Sequence, residues 1–293
     1  MRTPLHDAHK SLGARLVDFA GWEMPVQYTG IIEEHLHTRQ AASVFDVCHM
    51  SEFRVTGRGA VDALRQALAC RLDGLSVGQC RYGFLLKEDG GIIDDLICYR
   101  TARDEFMVVA NAGRRKVDGQ TIAERLPDDV VFEDVSDATG KVDVQGPQSL
   151  AALLEIAGEE VGTLHFFRSC RTRVAGVDAL VSRTGYTGEL GYEIYVDAED
   201  VETVWSALAE LRDVRPAGLG ARDTLRLEVG YPLYGHELAE DVTPLEAGYG
   251  WALPLDARFV GAEALAIMRT TGDIERALVG IEFDGRRAAR EGD

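Results

Sequence analysis

Apolar residues recur at helical spacing in three stretches of the chain. Val201, Val204, Trp205, Leu208 and Leu211 fall on one helical face, and Leu150, Leu153, Leu154 and Ala157 repeat the pattern just ahead of Gly158. Val61, Leu64 and Leu68 predict a third helix over about residues 59–70. Elsewhere the pattern changes to strands broken by glycine. Residues 81–87 and 92–100 read as two strands joined by Glu88-Asp89-Gly90-Gly91. A second hairpin runs through residues 179–184, turns in the Gly-Tyr-Thr-Gly segment and resumes over 191–197. Residues 220–230 predict a helix closed by Gly230, with Leu225 and Val229 on its buried stripe. Helices do not alternate regularly with strands, and adjacent hairpins favour antiparallel sheets, so the fold class is α+β. No internal repeat or low-complexity stretch interrupts this pattern.

Length and composition narrow the picture. With 293 residues, 46% of them apolar, the chain can bury a large core and exceeds the usual size of one domain, so two or more are expected. No apolar run approaches the roughly 18 residues needed to cross a bilayer, and residues 1–10 carry neither a signal nor a transit pattern; a cytoplasmic location is the expectation. The net charge of -18 argues against nucleic acid as a partner, because phosphate binding needs clustered cations. Only Lys10, Lys87, Lys116 and Lys141 are lysines, a surface that suits either a solute-rich cytoplasm or plain coding bias. The five cysteines are scattered without a C-x-x-C pair and read as buried or idle thiols.

Three motifs are set aside. Gly74-Leu75-Ser76-Val77-Gly78 has the form of a hydrolase elbow but follows a helix where a strand is required. Gly218-Leu219-Gly220-Ala221-Arg222-Asp223 begins like a dinucleotide fingerprint, yet Asp223 stands where a small residue must pack. His6 with His9, and His35 with His37, lack the accompanying carboxylate and helix context of a metal site and read as surface or capping histidines; no metal is expected.

The chemistry-bearing residues lie elsewhere. In Gly90-Gly91-Ile92-Ile93-Asp94-Asp95-Leu96-Ile97 two carboxylates interrupt an apolar strand, where an anion is costly unless a donor or ligand meets it. Regular alternation puts Asp94 with Ile92 and Leu96, and Asp95 with Ile93 and Tyr99, so only one can face a given cleft; an Asp pair ending a strand or bonding a turn is the plainer reading. Gly185, Gly188 and Gly191 recur every third residue, which allows a sharp turn or a close approach to a ligand. Glu193, beside Tyr195, could present an acceptor to a polar ring. Arg222 could fork onto a carboxylate, either a ligand's or the protein's own.

The order of these segments carries a resemblance. Asp-Phe-Ala-Gly-Trp-Glu-Met-Pro at 18–25, Phe-Asp-Val-Cys-His-Met at 45–50, the Gly90 segment, Gln145-Gly146-Pro147, the Gly185 segment, and the Gly218 segment followed by Tyr234-Gly235 together resemble the aminomethyltransferase family, the T-proteins of the glycine cleavage system. The likeness runs from about residue 4 to residue 283. It implies two interleaved antiparallel α+β domains, residues 1–50 with 137–224 and residues 51–136 with 225–275, around a central tetrahydrofolate cavity. It further implies a third, C-terminal β-barrel domain that is largely absent here, residues 276–293 being its start; the run 284–293, polar and without apolar periodicity, reads by itself as an exposed linker.

The implied activity transfers the one-carbon unit of an aminomethyl group, held through sulfur on the lipoyl arm of the H-protein, to tetrahydrofolate. Ammonia and 5,10-methylenetetrahydrofolate are released. By motif, Asp94 corresponds to the catalytic aspartate, bonding the reactive nitrogens and stabilising a cationic iminium-like species. Tyr82, Asn111, Tyr186, Glu193 and Arg222 would line the folate pocket and Met50 would pack on the folate, although an ordinary core methionine reads the same way. The rival readings are a folate-dependent demethylating module of sarcosine or dimethylglycine type and a non-catalytic folate-binding protein related to iron-sulfur assembly factors.

Overall fold

Two sheets, each backed by helices on one face, meet through their other faces in the computed structural model, which describes residues 1–254 and 257–282. The chain begins with α1 (His6–Ser11) and the hairpin β1 (Arg15–Phe19) and β2 (Trp22–Gln27), followed by α2 (Ile31–Gln40), β3 (Ala42–Asp46) and β4 (Ser51–Thr56). Next come α3 (Ala60–Ala67), β5 (Ala69–Cys70), β6 (Gln79–Leu86), β7 (Ile92–Ala102), β8 (Glu105–Ala110), α4 (Arg115–Arg125) and β9 (Val131–Asp134). The chain then supplies β10 (Thr139–Gln145), α5 (Ser149–Ile156), β11 (Ser169–Val174), β12 (Val177–Ser182) and β13 (Gly191–Asp197). It ends with α6 (Val201–Ala209), β14 (Val214–Pro216), α7 (Leu219–Glu228) and α8 (Ala262–Thr271). The predicted helices and both predicted hairpins correspond to α3, α5, α6, α7, β6–β7 and β12–β13.

The first sheet has the order β11-β12-β13-β10-β3-β14 and the second β5-β6-β7-β8-β4-β9. Pairing is antiparallel throughout except at the β14–β3 edge. Every strand of the second sheet lies between residues 51 and 134, whereas the first draws on residues before and after that span.

Alternation within the strands decides what each face does. On β13, Tyr192, Ile194 and Val196 point into a core with Leu153 of α5 and Val204, Trp205 and Leu208 of α6. Trp205, 2% exposed, buries roughly 200 Å² there, worth about 5 kcal/mol at 25 cal/mol per Å². On the second sheet Phe53, Leu96, Cys98 and Phe106 pack against Leu64 of α3 and Ile122 of α4. The opposite faces meet where Cys80, Tyr99 and Val109 of the second sheet touch Leu180 and Tyr195 of the first, with Met50 alongside. Segments after α7 cover Phe84 and Ile92 at one end of that junction.

Some expectations fail locally. Leu225 is buried, but Val229 is 41% exposed, because α7 ends at Glu228 and Val229 instead lies against the turn at Gly188. His6 and His9 are buried, not superficial: His9 Nε2 lies 2.8 Å from Asp46 Oδ2, and its Nδ1 lies 2.9 Å from the Tyr28 hydroxyl. Four cysteines are buried and Cys170 partly so, all as free thiols. Among the described residues no helix is long and apolar enough to cross a membrane. The run 284–293, expected as a linker, lies outside the described residues, as does most of the expected start of a third domain at 276–293.

Candidate functional site

The β6–β7 hairpin places the aspartate pair. Gly91 is required at its turn, since a Cβ there would sit 2.1 Å from the Glu240 carbonyl oxygen. Just beyond the turn the ladder slips: Leu86 pairs with Ile92 while Leu85 pairs with Asp94, leaving Ile93 as an extra residue. Ile92 consequently joins the cluster around Phe84, and Ile93 turns with Leu96 toward α3 and α4. Asp94 shares that inward face and is fully buried; Asp95 shares the other with Ile97 and Tyr99 and remains partly open to solvent.

The expectation, carried by motif, that Asp94 presents its carboxylate to the cleft is therefore corrected, because Asp94 lies with Leu96 on the buried α4 side of the strand. Asp94 Oδ2 accepts the Asn111 backbone N–H at 2.9 Å and its Oδ1 the Asn111 Nδ2 at 2.8 Å. The same Nδ2 reaches Asp95 Oδ1 at 2.8 Å, and the Tyr82 hydroxyl donates to Asp95 Oδ2 at 3.0 Å. Asn111 is thus a clamp across both carboxylates. Burial, and then the charge of Asp94 beside it, push the Asp95 carboxyl up to about 7, against the pull of Tyr82 and Asn111. Tyr249, whose ring centroid is 5.7 Å from that of Tyr82, and Tyr186 complete the surroundings of Asp95.

Four residues along the same strand face, about 13 Å at 3.3 Å per residue, Tyr99 crosses to the first sheet. Its hydroxyl donates to Glu193 Oε2 at 2.8 Å, as do Thr184 at 2.7 Å and Tyr195 at 3.0 Å, while Lys141 Nζ meets Glu193 Oε1 at 3.0 Å. Burial alone would raise the Glu193 pKa, but Lys141 and these hydroxyls hold it at about 2, so Glu193 is an anion at neutral pH. Lys141 also lies 3.9 Å from Asp143, whose Oδ2 accepts from Arg222 at 2.9 Å. Asp143 Oδ1 and His49 Nδ1 are buried without a hydrogen-bond partner among the described residues. Burial lowers the His49 pKa to about 4, leaving that imidazole neutral.

Arg222 also sits over the Tyr186 ring, 5.0 Å from its centroid, and so links the Glu193 end to the tyrosines around Asp95. Of the carboxylates left open as its partner, it takes the protein's own. Asp95, Tyr82, Asn111, Tyr186, Arg222, Glu193 and Met50 thus converge on the junction between the sheets. Sequence reasoning missed Lys141, Asp143, Tyr99, Tyr249 and Asp118; only Lys141 and Asp143 carried a signal, as charges alternating with Val142 and Val144 on an otherwise apolar strand. The glycines of 185–191 serve the fold: a Cβ at Gly185 or Gly191 would fall 2.1 or 1.9 Å from Gln145 Oε1, so the turn closes on that side chain.

Comparison with known proteins gives this arrangement a context. The GCVT N-terminal domain family matches residues 5–257. An aminomethyltransferase of Saccharopolyspora erythraea is 43% identical over 99% of this chain and 81% of its own length, and one of Thermotoga petrophila is 43% identical over 99% and 80%. The crystal structure of glycine cleavage system aminomethyltransferase T from Bartonella henselae, 36% identical, superposes with a TM-score of 0.87 over 92% of this chain and 75% of that one. Heterotetrameric sarcosine oxidase from Corynebacterium sp. U-96 shares the fold at 16% identity, with a TM-score of 0.50 over 77% of this chain and 96% of that one. Fold and relatives together define a folate-dependent transferase. More narrowly, the chain belongs to the aminomethyltransferase family, the T-proteins of the glycine cleavage system.

Proposed function

We propose that the chain transfers the one-carbon unit of an aminomethyl group on the lipoyl arm of H-protein to tetrahydrofolate, with Asp95 rather than Asp94 at the reacting centre. The observation that carries this reading is the placement of Asp95 on the open strand face, ringed by Tyr82, Tyr186 and Tyr249 and separated by about 13 Å of strand from Tyr99 and Glu193. A flat ring rich in N–H donors suits this face: Asp95 and Glu193 are acceptors at its two ends, Asp143 Oδ1 has no hydrogen-bond partner among the described residues, and Ile97 lies between the ends on the strand with Met50 packed nearby. Tetrahydrofolate supplies the nitrogens that take up the carbon. Glu193 would accept from the pterin N–H groups, Tyr186 and Arg222 would flank the ring, and Asn111 with Tyr82 would hold the Asp95 carboxylate where it stabilises positive charge developing at the transferred carbon. The bond between that carbon and the lipoyl sulfur breaks, the sulfur leaves as a thiol and the nitrogen as ammonia.

The interleaving of the sheets supports the division into residues 1–50 with 137–224 and 51–136 with 225–275 as part of the same reading. The test is ammonia release in the presence of tetrahydrofolate and lipoylated carrier. Asp95→Asn should lower turnover by at least about a hundredfold, the scale of one lost charge-stabilising group. Absence of folate-dependent ammonia release from the unmodified chain would sink the reading.

A further inference from the structure

We propose that Asp118 is a positioning residue of the reacting centre: its carboxyl shares one proton with that of Asp94, and the pair, through the Asn111 amide, holds Asp95 in place with a single negative charge behind it. This inference rests on the functional reading above for its consequence, but not for its chemistry.

Asp118 lies in the first turn of α4 and is completely buried. Neither of its oxygens has an amide, hydroxyl or guanidinium partner among the described residues. The group within hydrogen-bond reach is the carboxyl of Asp94. Two carboxylates cannot both ionise at that separation inside a protein, so a proton must lie between them. Its location follows from the donors: Asp94 already accepts two N–H bonds from Asn111, which suits a carboxylate, so Asp118 holds the proton and donates it toward Asp94. Burial and then the Asp94 charge push Asp118 up to about 10, and burial also raises Asp94.

The other charged and titratable groups facing the pair do not remove the need for the proton. Arg114 draws Asp118 down, but its guanidinium is taken by Glu240 at 2.7 Å and by the Ile93 carbonyl at 3.0 Å, and it stacks on Tyr234 at 5.1 Å. Asp95 acts in the opposite direction, raising Asp118, and Tyr82 bonds Asp95. Asp94, Asn111, Asp95 and Tyr82 form a hydrogen-bonded file running from the α4 side of the sheet to its open face, and the proposed proton on Asp118 extends it by one carboxyl at the buried end. Loss of the shared proton would put a second buried anion behind Asp95 and make its own ionisation harder.

Infrared difference spectroscopy of the ligand-free chain tests the shared proton directly. At pH 8 the spectrum of the unmodified chain minus that of Asp118→Asn should contain the carbonyl stretch of a buried protonated carboxyl, lost on titration past about pH 10; buried Glu52, whose carboxyl burial also pushes up, contributes to both chains and cancels. In folate turnover, Asp118→Ala should lower kcat about tenfold with a smaller change in KM, the scale of one hydrogen bond to a buried charge. Asp118→Asn, which keeps a donor toward Asp94, should regain most of that loss. Absence of the carboxyl band from that difference, or an Asn variant as impaired as the Ala variant, would overturn the proposal. A chain that shows the band but no folate turnover would keep the shared proton and remove the functional reading instead.

Discussion

Replacing Lys141 exposes how the Glu193 end of the site is held. Lys141 Nζ and Glu193 Oε1 are 3.0 Å apart, and both residues are almost wholly buried. At an effective dielectric near 20 their attraction is on the order of 5 kcal/mol, against a desolvation cost of several kcal/mol for each ion. The pair therefore adds little net stability, yet removing one partner strands the other. Lys141→Met leaves Glu193 with the hydroxyls of Tyr99, Thr184 and Tyr195, which satisfy its lone pairs but not its charge. We expect a loss of about 3 kcal/mol in urea unfolding at pH 7.5, and about as much for Glu193→Gln, which strands Lys141 beside Asp143. The double variant should be less damaging than the sum of the singles by at least about 1.5 kcal/mol. The pH dependence has a definite sign. Glu193 is held at about 2, below its usual 4.5, so its ionised form stabilises the fold above pH 4.5, and that contribution is lost as pH falls toward 2. The Lys141→Met penalty should therefore shrink as pH falls through the carboxylate range. Additive singles, or a penalty that ignores pH, would refute the argument.

Other outcomes follow from the same geometry. Asp94→Asn sets an amide N–H₂ among the Asn111 donors and should destabilise the chain while lowering turnover less than Asp95→Asn does; equal losses would mean that the two faces of β7 are not distinguished in catalysis. Because burial and Asp94 raise Asp95 to about 7 and the ionised form is the active one, kcat/KM should climb with pH across that value; a flat profile from pH 6 to 8 contradicts the assignment. Gly91→Ala pushes a methyl into the Glu240 carbonyl and should cost about 1–3 kcal/mol by thermal or denaturant unfolding, with a null effect showing that the turn can move aside.

What the sequence made legible was short in range. The α5 and α6 stripes and the β6–β7 and β12–β13 hairpins depend on residues a few positions apart, so periodicity and turn glycines identify them. Motif order identified the family, and with it most residues at the junction. The face of β7 could not be read the same way. Alternation correctly separated Asp94, with Leu96, from Asp95, with Tyr99, but could not say which face is open; the motif resemblance assigned the cleft to Asp94, whereas the slip at Ile93 moved only Ile92 and Ile93 relative to that pattern. Asp118 shows no pattern in α4 that separates it from a solvated helix residue; its burial comes from the packing of α4 over the second sheet. The glycine spacing of 185–191 looked like ligand contact, yet it answers to Gln145, forty residues away in sequence.

The passage of the chain from one sheet into the other and back has a consequence for assembly. Every strand of the second sheet is in hand once residue 134 has been made, and its pairings span short loops, apart from the reach of β4 to β8 and β9. The first sheet cannot close in the same way: β3 is synthesised early but must wait for β10, then β13 and finally β14, its edge partners lying on the far side of the completed second sheet. During synthesis the inserted half can therefore condense first and act as a template, holding the two ends of the outer half close enough to find each other. Refolding from denaturant lacks that order of arrival, and the late closure of β3 onto β10 and β14 is where a slow phase belongs.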